Sequence, residues 1–178
     1  TPHTYKLVET EEDAPSIYDY LITKQILSLD TETTSTSAVD AELVGLSFAV
    51  KEEEAFYVAI PAKREEALKF VNIFKPLYEN PEILKIGQNI KYDYEVLMNY
   101  GVEILGKMFD TMIAHYLIQP ELYHNMDYLA EVYLNYAEAC LRKNDVEKAV
   151  AYIDKVRQRQ GVNLPKLKNV STTDAAFE

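Results

Sequence analysis

Cysteine is almost absent from this chain of 178 residues and occurs once, at Cys140. One cysteine can form neither an internal disulfide nor a cysteine metal cluster, which excludes a fold stabilised by either. This cysteine usage is typical of a reducing compartment, so we expect a cytoplasmic protein.

Long apolar segments are also missing. No run of eighteen apolar residues occurs, so the sequence predicts no membrane-spanning helix and no membrane partner. The first residues, Thr1 to Lys6, have no apolar core and do not resemble a signal peptide. The chain does not begin with Met, which favours a processed chain or an excised fragment.

Basic residues are outnumbered: 18 Lys and Arg stand against 29 Asp and Glu, a net charge of −11. Residues 1–135 hold 10 basic and 23 acidic residues, whereas residues 136–178 hold 8 and 6. Such a balance argues against a non-specific nucleic-acid binder. An acidic body can still act on nucleic acid where bound metal ions reverse the local charge. We therefore expect weak binding of isolated substrate, with affinity supplied by a larger protein.

The composition that remains, 48% hydrophobic and 26% charged, is that of a soluble globular domain. Apolar periodicity predicts an α/β fold with a mixed sheet, flanking helices and an antiparallel hairpin over residues 42–60. The predicted strands are 26–29, 42–50, 55–60, 83–86 and 107–109. The predicted helices are 11–23, 65–78, 89–100, 110–118, 127–141 and 146–160.

The stretch Leu27 to Thr33 is an apolar run that ends in two carboxylates one residue apart. Side chains alternate along a strand, so Asp30 and Glu32 should point to the same side. Two close carboxylates repel each other unless a cation lies between them, and oxygen ligands suit Mg²⁺ or Mn²⁺. A solvated acidic pair at a strand end is the alternative, and the residues alone leave both open.

Two further junctions between a strand and a helix carry acids. In Gly87 to Asp93, Asn89 and Asp93 are four residues apart and share one helix face. The alternatives are that Asn89 caps the helix and that Asp93 is stabilised by the helix dipole. The second junction is the stretch Phe109-Asp110-Thr111, where we predict that Asp110 is a capping residue.

These three stretches, together with Leu43 to Ala49 and His124 to Glu131, resemble the 3′–5′ exonuclease (DnaQ-like, DEDD) domain of family A DNA polymerases. The resemblance covers about residues 5–135. It implies a ribonuclease-H-like fold and a proofreading-type activity that removes 3′-terminal nucleotides from single-stranded DNA. It also implies two divalent metal ions, Mg or Mn, and the polymerase domain of a larger chain as a partner.

The resemblance assigns roles to individual residues. Asp30 would be a ligand of both metals, Glu32 a ligand of the metal on the nucleophile side, and Asp93 a ligand of the second metal. Four more residues would contact the terminal nucleotide, the last of them through its base: Thr31, Thr33, Asn89 and Phe109.

The sequence departs from the family at two places. Thr36 stands where the family often has a leucine wedge. The family's late Tyr-x-x-x-Asp motif has one match here, Tyr123 to Asp127, which precedes a helix and favours capping by Asp127. Asp154 is the best substitute acid, although Val150 occupies the tyrosine position. We therefore expect a poor or inactive nuclease.

The sequence after residue 135 no longer resembles the exonuclease. Residues 129–165 resemble a helix pair of SusD/RagB-type glycan-binding lipoproteins, and their pattern predicts an αα-hairpin followed by a loosely ordered end over 166–178. This predicts an exonuclease-like domain over 1–135 and a separate helical segment over 136–178. Two alternatives stay open: a catalytically inactive single-stranded-DNA-binding or structural domain, and a chimeric fragment with a glycan-uptake protein tail.

Overall fold

A computed structural model describes residues 4–126, 128–129 and 146–157 of the chain. The strands are β1 (Thr4–Val8), β2 (Ile26–Thr33), β3 (Leu43–Lys51), β4 (Glu54–Ala59), β5 (Leu84–Gly87) and β6 (Met108–Asp110). The helices are α1 (Ala14–Leu21), α2 (Arg64–Glu79), α3 (Ile90–Met98), α4 (Thr111–Ile118) and α5 (Val146–Arg157).

The six strands form one mixed sheet in the order β1-β4-β3-β2-β5-β6. Strands β2, β3 and β4 are antiparallel neighbours, whereas β1–β4, β2–β5 and β5–β6 are parallel pairs. The predicted α/β fold and its antiparallel hairpin are therefore confirmed. The hairpin turns at Glu53, whose φ of 64° is left-handed.

Two strands differ from the prediction. The sequence pattern did not predict β1, a five-residue edge strand held by parallel pairing with β4. The strand predicted over 26–29 is longer in the structure, where β2 continues to Thr33. The polar residues at the end of β2 stay in the sheet because β3 continues to pair with them, Asp30 opposite Ser47 and Glu32 opposite Gly45.

The sheet has two different faces. Apolar side chains on its helix-covered face join the buried residues of α1, α2 and α3 in one core; from the sheet these include Leu27, Leu29, Leu46, Phe48, Phe56 and Val58. Because side chains alternate, their neighbours in sequence point the other way. We call the side of the sheet opposite the helix-covered face the second face. It carries Ser28, Asp30, Glu32, Ser47 and Tyr57.

The chain divides into two compact units, and the second unit begins at His115, within α4. In the second unit, His115 and His124 approach with their Nδ1 atoms 2.6 Å apart. Ala149 of α5 is fully buried. The first helix of the predicted αα-hairpin and the end over 166–178 lie almost wholly outside the described residues.

Within the described ranges, none of the helices combines the length and the apolar character needed to cross a membrane.

Candidate active site

The two carboxylates of the first motif lie on the second face at the carboxyl end of β2. Asp30 is half-buried and Glu32 is exposed, whereas Thr31 between them is buried on the other side. This is the alternation that the sequence predicted for the two acids.

Asp93 occupies the gap that opens where β2 loses one neighbour. Strand β5 pairs with β2 only as far as Ser28, so the edge of β2 at Thr31 has no strand beside it on that side. Asp93, on the first turn of α3, fills this position: its Oδ1 accepts the Thr31 N–H at 2.8 Å and the Thr31 hydroxyl at 2.7 Å. The carboxylate of Asp93 therefore lies at the edge of β2, close enough to Asp30 for its charge to affect the pKa of that group.

The electrostatics agree with this proximity. Burial raises the pKa of Asp30 to about 7, and the negative charges of Asp93 and Glu32 contribute to the increase. Burial also raises the pKa of Asp93, the hydrogen bonds from Thr31 oppose this, and the charge of Asp110 adds to it. Three carboxylates therefore interact at the end of one strand.

The donor chemistry of this corner fits a divalent cation. Carboxylate oxygens are the preferred ligands of Mg²⁺ and Mn²⁺, and a bound cation would offset both the burial and the repulsion that raise the pKa of Asp30. As the side chains stand, the described residues include no group of three His, Cys, Asp or Glu that could hold a metal ion. The acids thus supply suitable donors and charge without forming a closed three-residue cage.

The start of α3 leaves the side chain of Asn89 exposed. Asn89 occupies the N-cap position with left-handed backbone angles (φ 57°, ψ 45°), yet its side chain makes no capping hydrogen bond. The cap comes from Asp110 instead, whose carboxylate accepts the N–H groups of Asn89 at 3.1 Å and Ile90 at 2.9 Å. The capping alternative for the Asn89 side chain is therefore wrong.

Asp110 caps its own helix as well. Its Oδ1 accepts the N–H groups of Met112 at 2.8 Å and Ile113 at 3.2 Å, at the start of α4. The predicted capping role of Asp110 is confirmed, and the structure adds the second helix that it caps. The sequence gives no direct signal for that second role, because the two ends lie 21 residues apart in the chain.

Thr33, at the end of β2, is tied into the loop that follows. Its hydroxyl lies 3.0 Å from the Ser35 carbonyl oxygen and 2.5 Å from the Tyr92 hydroxyl, which also donates to that carbonyl. Tyr92 is adjacent to Asp93 on α3, so this network joins the end of β2 to the helix that carries Asp93. Sequence reasoning did not single out Tyr92.

Phe109 lies on the same face as the two acids of β2. It pairs with Ile86, which in turn pairs with Ser28, so the three residues form one row across β6, β5 and β2. The ring of Phe109 is 48% exposed. It can therefore offer a flat apolar surface on the same face as Asp30.

The residues considered for the missing motif lie in the second unit. Tyr123 is exposed and contacts the ring of Tyr128, while Asp127 lies outside the described residues. Asn125 accepts the N–H of Tyr128 at 2.8 Å and so caps this turn. Asp154 is half-buried on α5.

Comparison with known proteins identifies the family. The family model described as 3′–5′ exonuclease matches residues 5–158, past the boundary at residue 135 predicted from the sequence. DNA polymerase I of Borreliella burgdorferi is 38% identical over 149 residues, covering 79% of this chain and 16% of the relative. DNA polymerase I of Pseudomonas aeruginosa is 41% identical over 125 residues, covering 64% of this chain and 13% of the relative. The chain thus spans less than a fifth of the length of these relatives.

Solved structures show the same fold at low sequence identity. Escherichia coli RNase D aligns with a TM-score of 0.56 at 18% identity, over 98% of this chain and 41% of that one. Brucella melitensis NrnC with bound Mg²⁺ aligns with a TM-score of 0.54 at 16% identity, over 99% of this chain and 89% of that one. The solved structures support the fold, and the matches in sequence place the chain in the family of 3′–5′ exonuclease domains found in DNA polymerase I.

Proposed function

We propose that this chain is a metal-dependent 3′–5′ exonuclease module that hydrolyses the 3′-terminal nucleotide of single-stranded DNA. The observation that carries the proposal is the acidic corner formed by Asp30, Glu32 and Asp93, which the Thr31–Asp93 hydrogen bonds hold together. The polymerase part of a longer chain is its proposed partner. The cytoplasmic location stays a prediction.

Two divalent ions, Mg²⁺ or Mn²⁺, are the proposed cofactors. Asp30 would hold both ions, Glu32 the ion on the side of the attacking water, and Asp93 the other. Bound there, such ions would lower the pKa of the attacking water and stabilise charge on the leaving 3′-oxygen. Thr31 contributes by fixing the Asp93 carboxylate, since both of its hydrogen bonds reach the same carboxylate oxygen.

The proposed substrate contacts surround the acids. The exposed Asn89 side chain, released from capping by Asp110, is available to bind the terminal nucleotide. The exposed ring of Phe109 suits stacking on a base, which is largely independent of sequence. Thr33, at the end of β2, is a further proposed contact, and the hydrogen bond to the Tyr92 hydroxyl would fix the position of its own hydroxyl.

We further propose that the activity is low. The Tyr-x-x-x-Asp motif would supply a further carboxylate and a tyrosine that orients the attacking water, and the sequence has no good match for it. Loss of nucleophile positioning costs orders of magnitude in rate, because each 1.4 kcal/mol of barrier is about tenfold. The second candidate, a domain that binds single-stranded DNA without cutting it, is favoured by this same departure.

The test is degradation of a 5′-labelled single-stranded oligonucleotide with Mg²⁺ or Mn²⁺. We expect slow shortening from the 3′ end by the parent, loss of it in Asp30→Asn, and parent-like rates in the control Asp19→Asn. Asp19 is an exposed acid on α1, so the control makes the same charge change outside the site. Equal degradation by the parent and Asp30→Asn would contradict the exonuclease assignment. Binding of the oligonucleotide without any shortening would favour the second candidate.

A further inference from the structure

Tyr57 of β4 lies on the second face, in register with the acids of β2. Its neighbours Phe56 and Val58 are buried in the core, so Tyr57 points the other way. Tyr57 pairs with Ser47, which pairs with Asp30, and the three residues form one row across adjacent strands.

The ring of Tyr57 leans out of that row and lies over Gly45. A Cβ atom added at Gly45 would approach Tyr57 Cε2 to 2.7 Å and the hydroxyl oxygen more closely still. The Tyr57 hydroxyl thus occupies the space that any side chain at position 45 would fill. A glycine in the middle of a strand often marks such a close approach.

Gly45 is the residue directly opposite Glu32. Side chains of opposed residues begin about 5 Å apart, so a group seated over Gly45 lies beside the side chain of Glu32. Partial burial, and then the charge of Glu32, raises the pKa of Tyr57. A phenol hydroxyl can both donate and accept a hydrogen bond, so at this position it can donate to the Glu32 carboxylate.

We propose that Tyr57 is a positioning residue of the active site, whose hydroxyl, seated over Gly45, orients the Glu32 carboxylate toward the bound cation. The inference rests on the proposed function, since it assigns a partner to one of the proposed metal ligands. Groups that orient a metal ligand typically change metal affinity 10- to 100-fold when they are removed. Gly45 has a role in this arrangement because it leaves room for the hydroxyl.

The experiment measures Mn²⁺ binding by calorimetry in the parent, Tyr57→Phe, Asp30→Asn and Tyr20→Phe. Tyr57→Phe removes one oxygen and keeps the ring, and its thermal unfolding in the absence of metal should match the parent. We expect its Kd for Mn²⁺ to rise about tenfold. Tyr20→Phe is the matched control, because the Tyr20 hydroxyl also donates to a carboxylate, that of Glu54 at 2.5 Å, and it should bind Mn²⁺ as the parent does.

A second variant, Gly45→Ala, displaces the Tyr57 ring without changing Tyr57 itself. We expect the same weakening of Mn²⁺ binding, with little further loss in the double variant Gly45→Ala/Tyr57→Phe. In the nuclease assay, Tyr57→Phe should lower kcat and leave the KM for the oligonucleotide unchanged.

Parent-like Mn²⁺ affinity in Tyr57→Phe, together with loss of binding in Asp30→Asn, would overturn this inference and leave the proposed function intact. No Mn²⁺ binding by the parent would overturn both.

Discussion

The starts of α3 and α4 look alike in sequence, but their aspartates have different roles. Each helix follows a short parallel strand, and each junction carries an aspartate. At α4, Asp110 uses both carboxylate oxygens to accept four backbone N–H groups from two helices. At α3, Asp93 receives both hydrogen bonds of Thr31 on one oxygen, and its charge contributes to raising the pKa of Asp30.

The difference shows what separates a structural carboxylate from a candidate ligand. Asp110 is compensated by hydrogen bonds from helix starts, where a negative charge is favourable. Asp93 is buried, and burial together with the charge of Asp110 raises the pKa of its carboxylate despite the hydrogen bonds from Thr31. A bound cation would therefore stabilise the charge of Asp93, whereas the charge of Asp110 is already stabilised by backbone N–H groups.

The largest effect on stability should come from the charge of Asp30. Its pKa is raised to about 7, so in the folded state the group holds a proton that the unfolded chain releases near pH 4. The stability associated with that proton is fully present below pH 4 and is lost as the pH rises through 7, at most about 4 kcal/mol. Urea unfolding between pH 4 and 8 in metal-free buffer should show this loss for the parent. Asp30→Asn should flatten the profile, and an equal slope in both proteins would contradict the account.

Asp110→Ala should rank second. It removes the acceptor for both helix starts, and each lost cap costs about 1 kcal/mol, so we expect the free energy of unfolding to fall by about 2 kcal/mol. Chemical denaturation measures it. The control Asp19→Asn should have the same free energy of unfolding as the parent. An unchanged free energy of unfolding in Asp110→Ala would show that its four hydrogen bonds contribute nothing.

Asp93→Asn should change stability less than Asp110→Ala, by about 1 kcal/mol or less. The amide oxygen can still accept from Thr31, and the substitution removes a charge that Asp30 repels. Its main effect should be on nuclease activity and metal binding. A destabilisation as large as that of Asp110→Ala would show that the two junctions are equivalent.

Tyr78→Phe should have the smallest effect on the free energy of unfolding, and the other variants can be compared with it. The Tyr78 hydroxyl is buried, and no hydrogen-bond partner for it is found among the described residues. Removing an unpaired buried hydroxyl is neutral or stabilising by up to about 1 kcal/mol. A decrease of more than about 1 kcal/mol in the free energy of unfolding would indicate that this hydroxyl has a hydrogen-bond partner.

The sequence predicted those parts of the fold that depend on local patterns. The hairpin of β3 and β4, the helices α2 and α3, and the alternation of Asp30 and Glu32 all follow from periodicity. Strand β1 was missed because five residues at an edge owe their conformation to pairing with β4, some 50 residues away. The end of β2 was missed because its polar residues are held by β3 rather than by their own propensity.

The candidate site follows the same division. The acids are evident from their types and spacing, whereas their partners come from distant segments. The cap that Asp110 supplies to α3, and the position of Tyr57 over Gly45, depend on how strands and helices assemble. No pattern within either segment encodes these contacts.

The central claim is that the acids at the end of β2 form a divalent-cation site, and thermal unfolding in Mn²⁺ tests it most directly. A ligand that binds only the folded state stabilises it by about 2.7 kcal/mol at 100 times its Kd, so the Tm of the parent should rise by several degrees in millimolar Mn²⁺. The rise should disappear in Asp93→Asn and persist in Asp19→Asn. An unchanged Tm in the parent across millimolar Mn²⁺ would contradict the claim.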